Sequence, residues 1–416
     1  MTTAARDPDP GVDLPINTWF TPGVRGIGTA SFFSDLGHEI PTALLPSLLT
    51  VTLGAPAAAL GLVEGIAEGL GGAAKFAGGP LGDDPSRRRA TAVAGYTITA
   101  VLSAAIGSAT SVAQVATLRA GAWAARGIRG PSRNALLADV VHPSAYGRAF
   151  GFERAMDNLG AVGGPLLALA LVALVGTRWA ITLSVIPGLL AVLAILYAIR
   201  KAPKLADRPR RPLRFQVRPV LKGRLGRLLI GVTFFEVGNV AATLLILRAT
   251  EQLTTDLGLD RATVLALFLY AGYNLTATLA SFPAGRLSDR LGSGGPQRVL
   301  LVGVVMFAIA YLGFATNSTN IWFLLAPFLL AGVAIGFVET AEHAAVAAQA
   351  PEEIRGSAFG LLAAIQSLGN LAASAIAGLI WTLVSPTAAF YYLVTWMIAA
   401  AIVIAFAHRP SLRIKP

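Results

Sequence analysis

Cysteine is absent from all 416 residues. That excludes disulfides, thiolate metal centres and cysteine nucleophiles. Charge is scarce as well, at 13% of residues against about 25% in soluble proteins. Motifs of enzyme chemistry are missing. After His38-Glu39, a zinc helix H-E-x-x-H needs histidine where Thr42 stands. The stretch 71-GGAAKFAGG-79 lacks the G-K-[ST] ending of a phosphate-binding loop, so ATP is not expected to drive this protein. No serine nucleophile motif replaces them. Asp7, Asp9 and Asp13 precede any apolar run, where a signal peptide would carry bases, so no cleaved leader is expected. The segment 15-PINTWF-20 reads as an interfacial stretch or a mobile tail.

Apolar residues fill what remains. They make up 55% of the chain, and mean hydropathy is +0.65. Runs of about 20 apolar residues recur, each long enough to cross a bilayer as a helix. Twelve spans are expected, near 26–51, 56–80, 90–109, 112–136, 147–174, 179–199, 226–249, 262–286, 298–315, 321–348, 356–383 and 387–407. The fold class is an all-α membrane protein with two pseudo-symmetric six-helix bundles. The domains are a tail 1–25, a bundle 26–199, a linker 200–225, a bundle 226–408 and a tail 409–416.

The formal charge of +11 is concentrated. Arg200, Lys201, Lys204, Arg208, Arg210, Arg211, Arg214, Arg218, Lys222, Arg224 and Arg227 face one acid, Asp207. A basic loop between apolar helices marks the cytoplasmic side and attracts anionic membrane lipid, so nucleic acid is not the expected partner. Arg87-Arg88-Arg89, Arg290, Arg298 and Arg409 fall on the same side. Both termini are then cytoplasmic, in a multi-pass protein expected in a bacterial inner membrane and as a monomer.

Three motifs repeat in order. Phe33, Asp35, Gly37 and His38 of 32-FFSDLGHEIPTALLPSLL-49 match Phe234, Glu236, Gly238 and Asn239 of 233-TFFEVGNVAATLLI-246. The pair 79-GPLGD-83 and 285-GRLSD-289 follows, then 147-GRAFGFERAMDNLG-160 and 356-GSAFGLLAAIQSLG-369. The nearly constant spacing implies two homologous halves with a site between them near the midplane.

These residues resemble the major facilitator superfamily over nearly the whole chain. Its signature G-x-x-x-D-R-x-G-R-R is matched by 285-GRLSDRLG-292 and, in the first half, by Gly79, Asp83, Arg87 and Arg88 of 79-GPLGDDPSRR-88. There Asp84 stands for the usual Arg and Ser86 for the usual Gly. The run 160-GAVGGP-165 resembles the antiporter signature G-x-x-x-G-P, whose following Gly-Gly is Ala168-Leu169 here. Its glycines and proline permit close packing and a kink. Together with 61-GLVEGIAEGLGGAAKFAGG-79 and 126-RGIRGPSRNALLAD-139, these stretches are similar to a bacterial subgroup of drug or metabolite efflux permeases. The resemblance implies the major facilitator fold, gating through Gly79, Asp83, Gly285, Asp289 and Arg290, and no bound cofactor, with a proton gradient as energy source.

Buried charges mark the candidate site. Asp35, His38 and Glu39 share one helix face. Asp35 and Glu39 lie roughly 13 and 20 Å deep in a core about 30 Å thick. Charges at such depth usually mark an ion or substrate pathway. A carboxylate desolvated there holds its proton more tightly, and a nearby Arg reverses this. Asp35, His38, Glu39 and Arg119 are therefore the proton-coupling candidates. Glu64, Glu68 and Lys75 fall within roughly 40° on the second span. The expected substrate cavity is lined by Glu64, Glu68, Glu153, Asp157, Glu236, Asn239, Asn274, Gln366 and Asn370. It should be acidic on the first half and neutral but polar on the second, which suits lipophilic cations. Arg126, Arg129 and Arg133 oppose Glu339, Glu342 and His343 as a cytoplasmic gate, with Arg133 opposite Glu342 in the repeat register.

The leading reading is proton-coupled export of a drug-like or metabolite small molecule. The alternative is proton- or metal-coupled uptake of a small solute such as a peptide or a metal chelate, with Asp35, His38 and Glu39 as ligands. A receptor that binds without transport is a third class.

Overall fold

The computed structural model describes residues 18–202 and 213–407, and every regular element in it is helical. Lys204, Asp207, Arg208, Arg210, Arg211 and Arg409 lie outside the described residues, as do Asp7, Asp9, Asp13 and residues 15–17. The helices of the first half are α1 (Pro22–Ser47), α2 (Ala57–Asp83), α3 (Pro85–Ala105), α4 (Val112–Asp139), α5 (Tyr146–Leu183) and α6 (Val185–Lys201). A four-residue turn, α7 (Val217–Val220), belongs to the linker. Then come α8 (Gly223–Gly238), α9 (Ala242–Leu257), α10 (Leu259–Arg290), α11 (Gly295–Ala315), α12 (Ile321–Gln349), α13 (Arg355–Leu383) and α14 (Pro386–Ala407).

Local chemistry sets the boundaries. Thr21 caps α1 by accepting from Val24 N at 3.2 Å, with Pro22 in the first turn. Asp84 begins α3 in the same way, accepting from Ser86 N at 2.9 Å ahead of Pro85. The acid that departs from the family signature is therefore an N-cap. Gly176, at φ 78°, breaks α5 where two successive spans were expected. The expected span 226–249 is interrupted as well. After Gly238 the chain runs extended through Asn239 and Ala241 before α9 begins.

Eight helical segments are long and apolar enough to cross a membrane by length and composition. One of them, 143–201, holds 59 residues. At 1.5 Å per residue that is about 90 Å, the length of two passes. Three long helices, α1, α2 and α4, are not among the eight. Their charged residues lower their hydropathy, and those residues build the site.

Within the first half α1 packs on α5 and α6, and α4 on α2 and α3; in the second, α12 packs on α10 and α11, and α14 on α8 and α11. The halves meet along two seams, α2 with α13 and α5 with α10. Glycines bring the backbones together at the end of the bundle nearest the linker. Gly82 abuts Gly356, and Gly147 abuts Gly285. Phe215 of the linker stacks on Phe76 of α2 at that end, with ring centroids 5.0 Å apart. Along the opposite half of α2, Gly61, Gly65 and Gly69 face open space.

Candidate functional site

The seams place the repeated motifs in symmetric roles. Asp83 at the end of α2 accepts from Ser357 N at 2.8 Å and from Ser357 Oγ, at the start of α13. Asp289 at the end of α10 accepts from Gly147 N at 2.7 Å and from Arg148 N and Nε at 3.0 and 2.7 Å, at the start of α5. Each half's aspartate thus caps a helix of the other half, where orphan N–H groups favour an anion. Asp139 adds a third tie, pairing with Arg88 of its own half and with Arg355 Nη1 of α13 at 3.4 Å. Gly79 and Gly285 let the backbones approach within these seams. Arg290 is exposed.

The other repeats also correspond. A Cβ added at Gly160 of α5 would lie 3.0 Å from the Cβ of Asp35. One added at Gly369 of α13 would lie 2.5 Å from the Cβ of Glu236. The two matched acids are each held by a matched glycine.

A cavity of about 370 Å³ lies between the halves. Arg126, Arg129, Arg133, Arg154 and Asp157 line it from the first half, with Glu68 and Lys75 of α2. Glu236, Asn239, Glu339, His343, Gln366 and Asn370 line it from the second. Glu64, Glu153 and Asn274 do not line this cavity: Glu64 pairs with Arg119, Glu153 is buried against Arg133 and Arg154, and the Asn274 amide donates to Tyr270 O of its own helix.

On the first wall nearly every guanidinium has an acid. Arg126 grips Asp35 with two bonds, Nη1 to Oδ1 at 2.5 Å and Nη2 to Oδ2 at 3.0 Å. Arg133 and Arg154 share Glu153 and Asp157. Arg133 Nη1 lies 2.8 Å from Glu153 Oε1, and Arg154 Nε lies 2.7 Å from Oε2. Glu153 is fully buried and also accepts from Ser31 Oγ at 2.6 Å. Arg129 differs. It donates to Ser34 Oγ at 2.6 Å and sits 3.8 Å over the Tyr96 ring, with no acid in reach and Nη1 unpartnered.

This overturns several sequence expectations. Arg119 does not reach Asp35 or Glu39. It pairs with Glu64 at 3.1 Å and donates to Thr42 Oγ1 at 3.1 Å, because it lies two turns along α4 from Arg126, which takes Asp35. Arg133 does not meet Glu342. Glu153 and Asp157, on the adjacent α5, are nearer partners, and Glu342 accepts from Gln366 Nε2 at 2.9 Å instead. The expected Arg133–Glu342 gate is therefore not formed although the linker-end seams are closed. Asp35, His38 and Glu39 do not converge. Both Asp35 oxygens are taken by Arg126, and His38 is buried edge-on to Trp123 at 4.9 Å with both ring nitrogens unpartnered. Among the described residues no three His, Asp or Glu side chains form a metal-holding group.

The second wall is more acidic than the sequence pattern suggests, with Glu339 joining Glu236 in the cavity lining. Glu236 is buried, and its one side-chain bond comes from Asn239 Nδ2 at 3.0 Å. Glu342 is buried with Oε1 unpartnered. Among the described residues Glu339 forms no ion pair, although its carbonyl accepts from His343. Among the described residues no arginine or lysine of the second half approaches these three acids within ion-pairing distance. The broken chain after Gly238 passes beside them. Its backbone groups are satisfied by Asn370 Nδ2 to Asn239 O at 2.8 Å and by Ala241 N to Ser374 Oγ at 2.9 Å.

Lys75 and Trp123 are among the cavity residues that the sequence motifs do not single out. Lys75 reaches across the cavity to donate to Ser367 Oγ at 2.6 Å. Its place on the face of Glu64 and Glu68 was the available signal. Trp123 lies under both Arg119 and Arg126, 5.3 and 6.0 Å from its ring. Its spacing of four and three residues from them puts all three on one stripe.

The family model described as the Major Facilitator Superfamily matches the sequence twice, over residues 27–247 and 228–415. An uncharacterized MFS-type transporter of Methanocaldococcus jannaschii is 28% identical over 368 residues, 88% of this chain and 90% of the relative. An uncharacterized protein of Mycobacterium tuberculosis is 26% identical over 350 residues, 82% of each chain. Two crystal structures share the fold. A bacterial homologue of the iron transporter ferroportin, in an outward-facing state, superposes with a TM-score of 0.72 at 19% identity, over 92% of this chain and 98% of that one. The human organic anion transporter MFSD10 (TETRAN) superposes at 0.67 with 17% identity, over 92% and 99%. With both halves matched, the chain belongs to the Major Facilitator Superfamily of membrane transporters.

Proposed function

We propose that this protein is a secondary active transporter that exports drug-like or metabolite small molecules in exchange for protons by alternating access. Twelve passes follow if α1, α2 and α4 cross the membrane beside the eight apolar segments and 143–201 crosses twice. They divide into bundles 26–199 and 226–408, with the basic linker and both termini in the cytoplasm. Sealed linker-end seams and the open face of Gly61, Gly65 and Gly69 then correspond to a cavity facing outward. The outward-facing ferroportin homologue has the same fold.

One observation carries the coupling: Glu236 and Glu339 line the cavity without an ion pair among the described residues, and Glu342 lies beside them. Unpaired charge is costly away from water, so such carboxyls exchange a proton or a ligand cation rather than stand bare. Asp35, held at both oxygens, is a weaker carrier than these three. Glu39, without an ion pair among the described residues, is the first-half candidate that remains. Proton and substrate competing for one set of carboxyls yields exchange.

Proteoliposomes with an imposed pH gradient test this reading. Accumulation of a screened ligand should follow the gradient and collapse with a protonophore. Gradient-independent equilibration would reject coupling, and binding without any movement would indicate a receptor.

A further inference from the structure

The first wall carries a lysine that forms no ion pair among the described residues, although Glu68 of the same helix lines the cavity with it. Lys75 lines the cavity, and its one hydrogen bond among the described residues goes to the neutral Ser367. Arg126 lines the same wall with its side chain 22% exposed beside its bond to Asp35. Across the cavity stand Glu236 and Glu339, with no basic partner from their own half. A purely cationic ligand would answer the two acids but meet Lys75 and Arg126 on the facing wall. A purely anionic ligand would do the reverse. Buried charges are tolerated when paired and costly when not.

We propose that the cavity takes an amphoteric small molecule, its anionic group set against Lys75 and Arg126 and its cationic group against Glu236 and Glu339. The proposal rests on the transport reading above and names its substrate class. The cavity of about 370 Å³ suits a drug-sized ligand. Gln366, Asn370 and Asn239 add amides that hydrogen-bond without favouring either charge. The lipophilic cations expected from sequence presumed a neutral second wall and an acidic first one, and the charges are arranged otherwise.

The test uses full-length protein in nanodiscs and a panel of amphoteric amino carboxylates led by phenylalanylphenylalanine. Each member is paired with its N-acetyl form, which keeps only the anion, and its methyl ester, which keeps only the cation. Binding is read by thermal shift and by titration. The parent compounds should bind, and each blocked form should bind at least about tenfold more weakly, as when one partner of a buried charge pair is lost. K75Q should remove the preference for parent over ester, and E339Q the preference for parent over N-acetyl form. Equal binding of ester and parent to the wild type would overturn the proposal, as would binding of no panel member, or unchanged preferences in both variants. The transport reading fails separately, only if ligands that do bind, of whatever charge, are not moved by a pH gradient in proteoliposomes.

Discussion

The two walls of the cavity derive from one repeat yet handle charge in opposite ways. The first half pairs four arginines with its own acids, Arg126 with Asp35, Arg133 and Arg154 with Glu153 and Asp157, and Arg119 with Glu64, while Arg129 rests on Ser34 and the Tyr96 ring. The second half leaves Glu236 and Glu342 to amide partners and Glu339 without an ion pair among the described residues. The scaffolding has stayed symmetric meanwhile, with Gly160 against Asp35 and Gly369 against Glu236, and Asp83 and Asp289 as reciprocal caps. Packing is what the halves share, and chemistry is where they have parted. One wall is a fixed electrostatic frame, and the other holds groups free to change partners.

The comparison breaks most sharply through stability. Glu153→Ala should remove about 3–5 kcal/mol, since it strands Arg133 and Arg154 in a buried setting. Glu342→Gln, which breaks no ion pair, should stay within about 1 kcal/mol of wild type. Thermal unfolding in detergent checks both, and equal losses would abolish the distinction between the walls. Transport should rank the other way. Glu236→Gln and Glu342→Gln should lower pH-driven flux at least about tenfold with normal insertion, as expected when a proton-transferring group is removed. Retained coupling in the double variant would return the proton to the first half.

The caps give a finer contrast. Both Asp289→Asn and Asp83→Asn lose an anionic cap, and Asp289→Asn loses an ion pair to Arg148 as well. Both should open the linker end, Asp289→Asn by about 1 kcal/mol more, the size of a partly exposed pair. Spin-label distances across the two seams report it, and the reverse order would refute the assignment. Smallest is Phe215→Ala. Losing the stack on Phe76 should weaken closure by about 0.5–1.5 kcal/mol in the same distance measurement.

The helices and the duplication were legible in the sequence because apolar runs and ordered motifs are one-dimensional signals. Gly176 also fell in the expected gap between two spans. The pairing of charges was not legible. Arg119, Arg126, Arg129 and Arg133 share a stripe of α4, and periodicity cannot say which one meets Asp35; relative height on α1 and α4 decides it. Arg133 was matched to Glu342 by repeat register, but adjacency to α5 outweighs symmetry. The break after Gly238 was hidden for a related reason. Its backbone groups are satisfied by Asn370 and Ser374 of another helix, so the local sequence shows no obvious stop.

The glycine track of α2 has a consequence for the opposite half of the cycle. Gly61, Gly65 and Gly69 recur every fourth residue and offer a smooth groove with nothing yet lying in it. When the halves rock the other way, a facing helix can come to rest there backbone to backbone, as small residues allow between membrane helices. A bulky side chain at Gly65 would leave the present shape untouched and deny the protein its return position, a one-residue wedge that stalls turnover without unfolding anything.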